Sequence, residues 1–225
     1  MAKKIRPKII LISGKTQSGK NTVASFIEVL CKDSHKIAPM YYAQALKSMV
    51  AKFSSYILGC KPTLSYLDFE KEEVKKRVIP YRFNTNKCTY RKLLQFFGTE
   101  FMRNIFSDTI WVDIVIEDIS AYIRYSNIDM VLITDTRFRN EISRVKKVLG
   151  NTCDIITLRV ERPKAKFKIK SFKDLVTVIK KVFKFKKEHI SETALDKYKF
   201  DCVIVNDGTK KELKEKVKKF LDELK

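Results

Sequence analysis

The stretch Ser13-Gly14-Lys15-Thr16-Gln17-Ser18-Gly19-Lys20-Asn21-Thr22 decides the fold class of this chain. It has the spacing G-x-x-x-x-G-K, follows an apolar run at residues 9–12 and precedes a helical pattern. Glycines let successive N–H groups point inward at phosphate oxygens, and a following helix adds a partial positive charge. Glycine-rich turns are common between strands and helices, but this context favours a phosphate-binding loop.

Length and composition indicate a globular protein. A chain of 225 residues can bury one substantial core, alone or with a small appendage. No apolar run approaches the roughly 20 residues that span a bilayer, and the first residues lack a secretory hydrophobic segment. We therefore expect a cytoplasmic protein without membrane contact, in the host cell if the source is viral.

Cysteine spacing and net charge restrict the partners. The five cysteines, Cys31, Cys60, Cys88, Cys153 and Cys202, form no C-x-x-C pair, which argues against a zinc site and for reduced thiols. A formal charge of +21 suggests a nucleic-acid partner. Lysine bias on the outer faces of predicted helices explains the same excess, so we regard a nucleic-acid role as the less favoured alternative.

Short apolar runs alternate with helical patterns, which predicts an α/β fold. It is expected to be a three-layer sandwich around a central, mostly parallel five-stranded sheet, with strands at residues 8–13, 36–42, 130–134, 154–160 and 201–205. A helical pattern at 90–106 is expected to break at Gly98, and residues 69–78 are expected to include a short helix. We interpret 1–225 as one domain with a helical region at 43–106 and a basic insertion at 162–190.

The insertion is the most basic part of the chain. Residues 164–187 carry ten lysines against one acidic residue, Asp174. An apolar stripe at helical spacing runs through them, opened by Ser171, so the pattern predicts an amphipathic basic helix.

Further stretches carry a family resemblance. They are Arg91-Lys92-Leu93-Leu94-Gln95-Phe96-Phe97-Gly98-Thr99-Glu100, Ile133-Thr134-Asp135-Thr136-Arg137, His189-Ile190-Ser191-Glu192 and Val205-Asn206-Asp207-Gly208. Together with G-K-N-T in the loop, and in this order, they make the chain resemble the deoxynucleoside monophosphate kinases of bacteriophages. The resemblance implies a P-loop kinase fold, ATP as donor, a deoxynucleoside monophosphate as acceptor, and Mg²⁺.

On the donor side, the resemblance implies that the backbone of Gly14, Ser18 and Gly19 holds the phosphates of ATP. Lys20 would bridge the two outer phosphates, and Lys15 would contact the transferred phosphoryl group. Asn21 stands where the usual pattern has Ser or Thr, so Thr22 is the better candidate for the metal, with helix capping as the alternative. Thr16 and Gln17 are neutral where the family often has basic residues.

Two residues follow the predicted third strand. Asp135 would hold a magnesium water or orient the acceptor phosphate, with a cap on the helix after Phe138 as the alternative. Arg137 would hold the acceptor phosphate through its planar fork.

The resemblance places one helix face in the acceptor pocket. Arg91 and Gln95 lie four residues apart and share that face, with Arg91 on the monophosphate and Gln95 toward the base or sugar. Thr99 would donate its hydroxyl to the substrate. Trp111 either stacks on a base or lies in the core, and a surface ion pair is the alternative for Arg91.

The basic insertion corresponds to the mobile lid of related kinases. Arg162 and His189 bracket it, and we expect Arg162 to bring a positive charge onto the transferred phosphoryl group.

Two other functions stay open from sequence. Animal-type phosphomevalonate kinases resemble the chain at the loop and at residues 135–137. An ATP-switched nucleic-acid-binding protein is the second. Sequence does not decide between a monomer and a homodimer, nor which bases are accepted.

Overall fold

A computed structural model describes residues 6–81, 86–163 and 193–224. The predicted helix at 164–187, together with His189 and Glu192, lies outside these described residues.

Five strands form one sheet: β1 Lys8–Ser13, β2 Ile37–Met40, β3 Met130–Thr136, β4 Asp154–Glu161 and β5 Cys202–Val205. Every pairing is parallel, and the order is β2-β3-β1-β4-β5. β1 is central, and its side chains at residues 9–12 are fully buried, which explains the continuous apolar run. The predicted α/β class and five-stranded sheet are confirmed, and the sheet is parallel throughout.

The α-helices follow the predicted alternation, with bounds α1 Lys20–Cys31, α2 Tyr42–Lys52, α3 Glu72–Lys76, α4 Tyr90–Gln95, α5 Met102–Ile105, α6 Ile110–Ser126, α7 Arg139–Leu149 and α8 Lys210–Glu223. π-Helical turns at Phe53–Ile57 and Phe96–Phe101 extend α2 and join α4 to α5, and a 3₁₀ turn spans Tyr66–Glu70. None of these described helices is long and apolar enough to cross a bilayer.

The sheet separates two apolar cores. Ile9 and Leu11 of β1 pack with α6 and α7 on one face, whereas Ile10 and Ile12 pack with α1 and α8 on the other. Successive strand residues point to opposite faces, so one run of four supplies both cores. Full burial of each such side chain stabilises the fold by roughly 1.5–3 kcal/mol.

A third core forms within the helical region at 43–106. Its buried residues are Val50, Ala51, Cys60, Phe69, Val74, Ile79 and Tyr90. They draw α2, α3 and α4 together beside the sheet edge at which the phosphate-binding loop opens, which positions this region next to the loop.

The expected helix break at Gly98 is wrong. Gly98 is buried inside the π-helical turn Phe96–Phe101, and the chain continues into α5. A Cβ at Gly98 would lie 2.9 Å from Cδ2 of Leu46. The glycine therefore allows α2 to approach closely and does not end a helix.

Candidate active site

The loop at residues 14–19 lies where β1 ends and α1 begins, at the carboxyl edge of the sheet. Nζ of Lys20 donates to the carbonyl oxygens of Gly14 at 2.6 Å and Lys15 at 2.9 Å. Its ammonium therefore sits inside the curl of the loop. The first N–H groups of α1 point the same way and favour an anion.

A residue from the far side of the sheet holds the loop. Asn206 follows β5, and its Nδ2 donates to the carbonyl oxygen of Ser18 at 2.9 Å. The adjacent Gly19 has φ 102°, and a Cβ there would lie 2.5 Å from the same Nδ2. Ser18 itself is buried, and its hydroxyl has no hydrogen-bond partner among the described residues. The loop is thus fixed by a contact that local sequence does not reveal.

A cavity of about 550 Å³ opens in front of the loop. Its lining combines loop and helix-start residues with polar side chains from the neighbouring elements: Thr16, Gln17, Gly19, Lys20, Asn21, Thr22, Tyr41, Ala43, Lys47, Glu70, Lys75, Thr134, Asp135 and Arg137. Lys47 is ion-paired with Glu70, and Lys75 lies 3.3 Å from Glu72. We call this the donor cavity because the phosphate-binding loop forms part of its wall.

Asp135, at the end of β3, caps a helix. Its Oδ1 and Oδ2 accept the N–H groups of Tyr42 and Ala43, each at 3.0 Å. The helix is α2 and not the one after Phe138, contrary to the sequence-based alternative. Burial raises the pKa of the Asp135 carboxyl, and the two backbone hydrogen bonds oppose that rise. Asp135 therefore fixes the start of α2 beside the loop.

A second cavity, of about 280 Å³, adjoins the first and shares Ala43, Asp135 and Arg137 with it. Its other lining residues are Tyr42, Leu46, Leu94, Gln95, Gly98, Thr99, Arg103, Trp111, Phe138 and Glu141. Apolar walls with a few polar groups are typical of small-molecule sites. We call it the acceptor cavity because its lining includes Gln95 and Thr99, which the sequence-based expectation assigned to the acceptor pocket.

Arg103 and Glu141 were missed by sequence reasoning. Oε2 of Glu141 accepts the N–H groups of Arg137 at 2.6 Å and Phe138 at 3.0 Å, and Oε1 lies 3.8 Å from the Arg103 guanidinium. That guanidinium stacks over the Phe138 ring at 5.3 Å. Gln95 and Thr99 lie four residues apart, and Arg103 follows Thr99 by another four. This helical spacing could have identified Arg103 from sequence as a third residue on the same face.

Glu141 carries an unusual carboxyl group. It is 3% exposed, and burial raises its pKa to about 7 against the stabilising effect of the two backbone N–H groups. Because the folded protein holds this proton more tightly than the unfolded chain, ionising it opposes folding. Stability from this group is therefore lost as the pH rises from about 4.5 to about 7.

Two other predicted site residues, Arg91 and Arg162, line neither cavity, and Trp111 lies in the wall of the acceptor cavity. Arg91 is ion-paired with Glu72 on α3 and lines neither cavity, in line with the surface alternative. Trp111 lines the acceptor cavity but is 4% exposed, and its indole N–H donates to the Gly98 carbonyl oxygen at 3.0 Å. Arg162 follows β4, is exposed and lines neither cavity.

Lys15 also lies outside the donor cavity lining, and its Nζ is 3.3 Å from Oδ2 of Asp196. Asp196 in turn pairs with Arg159 on β4. Neither Asp196 nor Arg159 was singled out from sequence, because an arginine inside a strand pattern and an isolated aspartate carry no local signature.

The parallel five-stranded sheet and the glycine-rich loop between β1 and α1 define the chain as a P-loop protein. A sequence model of the family described as deoxynucleotide monophosphate kinase matches residues 40–165, more than half of the chain. The chain belongs to this family. The match includes Gln95, Asp135 and Arg137, while the phosphate-binding loop lies before it.

The individual proteins compared with this chain have sequence identities of 28%, 11% and 13%. The deoxynucleotide monophosphate kinase of Escherichia phage RB69 is 28% identical over 158 residues, 70% of this chain and 54% of the relative. The chain thus spans about half the length of that curated relative. The APS kinase CysC of Mycobacterium tuberculosis, in complex with AMPPNP and APS, has 11% identity, coverage of 97% and 98%, and a TM-score of 0.47. The dephospho-CoA kinase of Campylobacter jejuni has 13% identity, coverage of 96% and 97%, and a TM-score of 0.43.

Proposed function

We propose that this chain transfers the γ-phosphoryl group of ATP to a deoxynucleoside monophosphate, giving ADP and a deoxynucleoside diphosphate. One observation carries the proposal: a cavity walled by the phosphate-binding loop adjoins a second, mostly apolar cavity across Asp135 and Arg137. Such an arrangement brings the phosphates of two nucleotides together while their bases lie apart. Family membership supports the same activity.

The donor side binds and neutralises a polyanion. The backbone from Gly14 to Gly19 holds phosphate oxygens, and Lys20 exchanges its two carbonyl contacts for the outer phosphates. Lys47 and Lys75 line the same cavity, each beside a glutamate, and would add positive charge on leaving Glu70 and Glu72 for the phosphates. These groups favour the transition state because they are already oriented where negative charge shifts during transfer.

The acceptor side holds a nucleoside monophosphate. Arg137 lines both cavities, so its guanidinium can pair with the acceptor's phosphate while that phosphate faces the donor. Leu46, Leu94 and Phe138 offer apolar surface to a base, and Gln95 and Thr99 offer hydrogen bonds at its edge.

Thr22 and Asp135 fit a magnesium ion that arrives with ATP. Both residues line the donor cavity and carry side-chain oxygens, and Mg²⁺ commonly takes one or two protein oxygens together with phosphates and waters. No cluster of three or more His, Cys, Asp or Glu side chains that could hold a metal ion occurs within residues 6–81, 86–163 and 193–224. Bound there, the ion would neutralise charge on the β- and γ-phosphates.

The chemical step requires no covalent protein intermediate. A phosphate oxygen of the acceptor forms a bond to the γ-phosphorus as its bond to the β–γ bridging oxygen breaks, and ADP leaves with that electron pair. Catalysis then rests on alignment by Arg137 and charge stabilisation by Lys20 and Lys15. Arg162, just after β4, would add a further positive charge.

The test is ADP release with a panel of deoxynucleoside monophosphates, ribonucleoside monophosphates and phosphomevalonate. We expect turnover with at least one deoxynucleotide, and none in a matched Lys20→Ala preparation, which excludes contaminating host kinases. Absence of turnover with every nucleotide would refute the proposal, and turnover with phosphomevalonate alone would establish the alternative acceptor. A DNA- and RNA-binding titration at two salt concentrations tests the nucleic-acid alternative, which requires a steep loss of affinity with salt.

A further inference from the structure

Asp196 lies on a turn that returns the chain to the sheet after the basic insertion. The neighbouring Leu195 is 2% exposed and packs into the core beside α6 and α7. The N–H of Asp196 donates to the Thr193 carbonyl oxygen at 3.0 Å. The turn is therefore anchored, and it holds the Asp196 carboxylate next to the phosphate-binding loop.

The carboxylate of Asp196 bridges two cations. Its Oδ1 accepts a hydrogen bond from Nη2 of Arg159 at 2.8 Å, and its Oδ2 lies 3.3 Å from Nζ of Lys15. One cation belongs to a central strand and the other to the loop. A single carboxylate therefore links the loop to the sheet.

The Arg159 end of this bridge is fixed. Its side chain is 9% exposed, its Nη1 donates to the hydroxyl of Ser13 at 3.2 Å, and its guanidinium lies 5.6 Å from the centre of the Phe200 ring. Ser13 and Arg159 are register partners on β1 and β4. A buried guanidinium needs a close anion, so Arg159 holds Asp196 in place.

The Lys15 end is adaptable. Its side chain is 39% exposed, and a lysine stem has four rotatable carbons that sample many rotamers when its ammonium lacks a fixed partner. Asp196 restricts the ammonium to the β4 side of the loop.

We propose that Asp196 is a positioning residue for Lys15, with Arg159 as its buried anchor. Asp196 itself touches no substrate; it holds the Lys15 ammonium at one place beside the loop, from which the lysine serves the transferred phosphoryl group. The inference rests on the proposed function in that Lys15 serves phosphoryl transfer. It predicts an effect on kcat more than on ATP binding, because removing a negative charge beside a polyanion site does not weaken attraction for ATP.

The experiment is a double-mutant cycle with Asp196→Asn and Lys15→Ala, followed by ADP release at saturating acceptor. Asparagine keeps the side-chain shape and an oxygen for Arg159 but removes the charge. We expect kcat of Asp196→Asn to fall about tenfold with no rise in KM for ATP, the size typical of coupled charged neighbours. In the Lys15→Ala background the same substitution should change kcat less than twofold, and Asp196→Glu should restore most of the activity.

Asp154→Asn is the matched control. Asp154 lies on β4, the strand that carries Arg159, and its Oδ1 is 3.2 Å from Nε of Arg6. This pair lies at the amino end of the strand, opposite the edge of the sheet at which the loop opens. The kcat of Asp154→Asn should equal that of wild type. Thermal unfolding of each variant identifies any that fails to fold, in which case Asp196→Glu and Lys15→Ala carry the comparison.

Two results would overturn the inference. One is a double variant whose loss of kcat equals the product of the losses in Asp196→Asn and Lys15→Ala; the other is a rise in KM for ATP in Asp196→Asn. Its failure is separable from that of the proposed function. If no monophosphate is phosphorylated, the same cycle on the slow hydrolysis of ATP by water still reports whether Asp196 acts through Lys15. A wild type that neither transfers nor hydrolyses would refute both.

Discussion

Substituting Gly19 by alanine tests how the phosphate-binding loop is held. Gly19 has φ 102°, in the region that L-residues rarely adopt, and its new Cβ would lie 2.5 Å from Nδ2 of Asn206. The Asn206 amide must then move away from the Ser18 carbonyl oxygen, to which it now donates at 2.9 Å. The substitution therefore disturbs both the backbone and the contact that ties the loop to β5.

The two effects can be sized separately. A left-handed conformation costs an L-residue roughly 1–2 kcal/mol. Loss of the Asn206 hydrogen bond adds about 1 kcal/mol. For a domain of this length, a total of about 2–3 kcal/mol lowers Tm by roughly 4–12 °C. Affinity for ATP should fall as well, because the N–H groups that face the phosphates belong to the displaced segment.

Gly59→Ala is the matched control. Gly59 also has positive φ, 63°, but a Cβ there meets nothing within 4 Å, so only the backbone effect applies. Urea unfolding and calorimetric titration with ATP should show Gly19→Ala less stable than Gly59→Ala by about 1 kcal/mol, and only Gly19→Ala weaker in ATP binding. Equal stability and equal ATP affinity in the two variants would refute the account of the loop.

Three further predictions concern the cavities. Lys20→Ala should abolish turnover with an unchanged unfolding midpoint, measured by ADP release and thermal melting, because its ammonium lies inside the loop. Arg137→Ala should reduce kcat/KM for the acceptor about 10²-fold, because a charged hydrogen-bonded pair with the acceptor phosphate is lost. Arg91→Ala is the control: its partner is Glu72, so kcat/KM should change less than about threefold. Equal losses in the two variants would contradict the assignment of Arg137 to the acceptor phosphate. Glu141→Gln should remove a fall in stability of about 3 kcal/mol between pH 4.5 and 8 that wild type shows in urea unfolding, and an unchanged pH profile would contradict it.

Much of the sheet was predictable because its determinants are local. The apolar run at residues 9–12 lacks alternation, and only a strand covered on both faces tolerates that. Helices between consecutive strands then require parallel pairing. The position of the loop at the carboxyl edge follows from the same connection, so the donor cavity could be placed approximately from sequence.

The role of Gly98 could not be predicted from the residues next to it in sequence. A glycine can end a helix, and it can also let two helices approach closely, so its presence in a sequence does not tell which role it has. Only the arrival of Leu46 from α2 decides between them. The partner of Arg91 was equally undetermined, because Glu72 lies on a separate helix 19 residues earlier in the chain.

The site residues whose roles the sequence did not reveal share one property: those roles depend on contacts between residues that are far apart in the chain. Asn206 reaches the loop across 188 residues, and Arg159 reaches Ser13 across 146. Glu141 gains its raised pKa from burial, which no short pattern reports. Sequence motifs thus located the phosphate-binding elements, whereas the groups that hold those elements required the folded chain.

Asp135 connects the central sheet to the start of α2. Both of its carboxylate oxygens hold the first two N–H groups of α2, while its backbone belongs to β3 beside the loop strand. The two hydrogen bonds therefore tie the start of α2 to β3 at the place where the two cavities meet. Removing this one carboxylate would release the helix from the strand and change a wall that both cavities share.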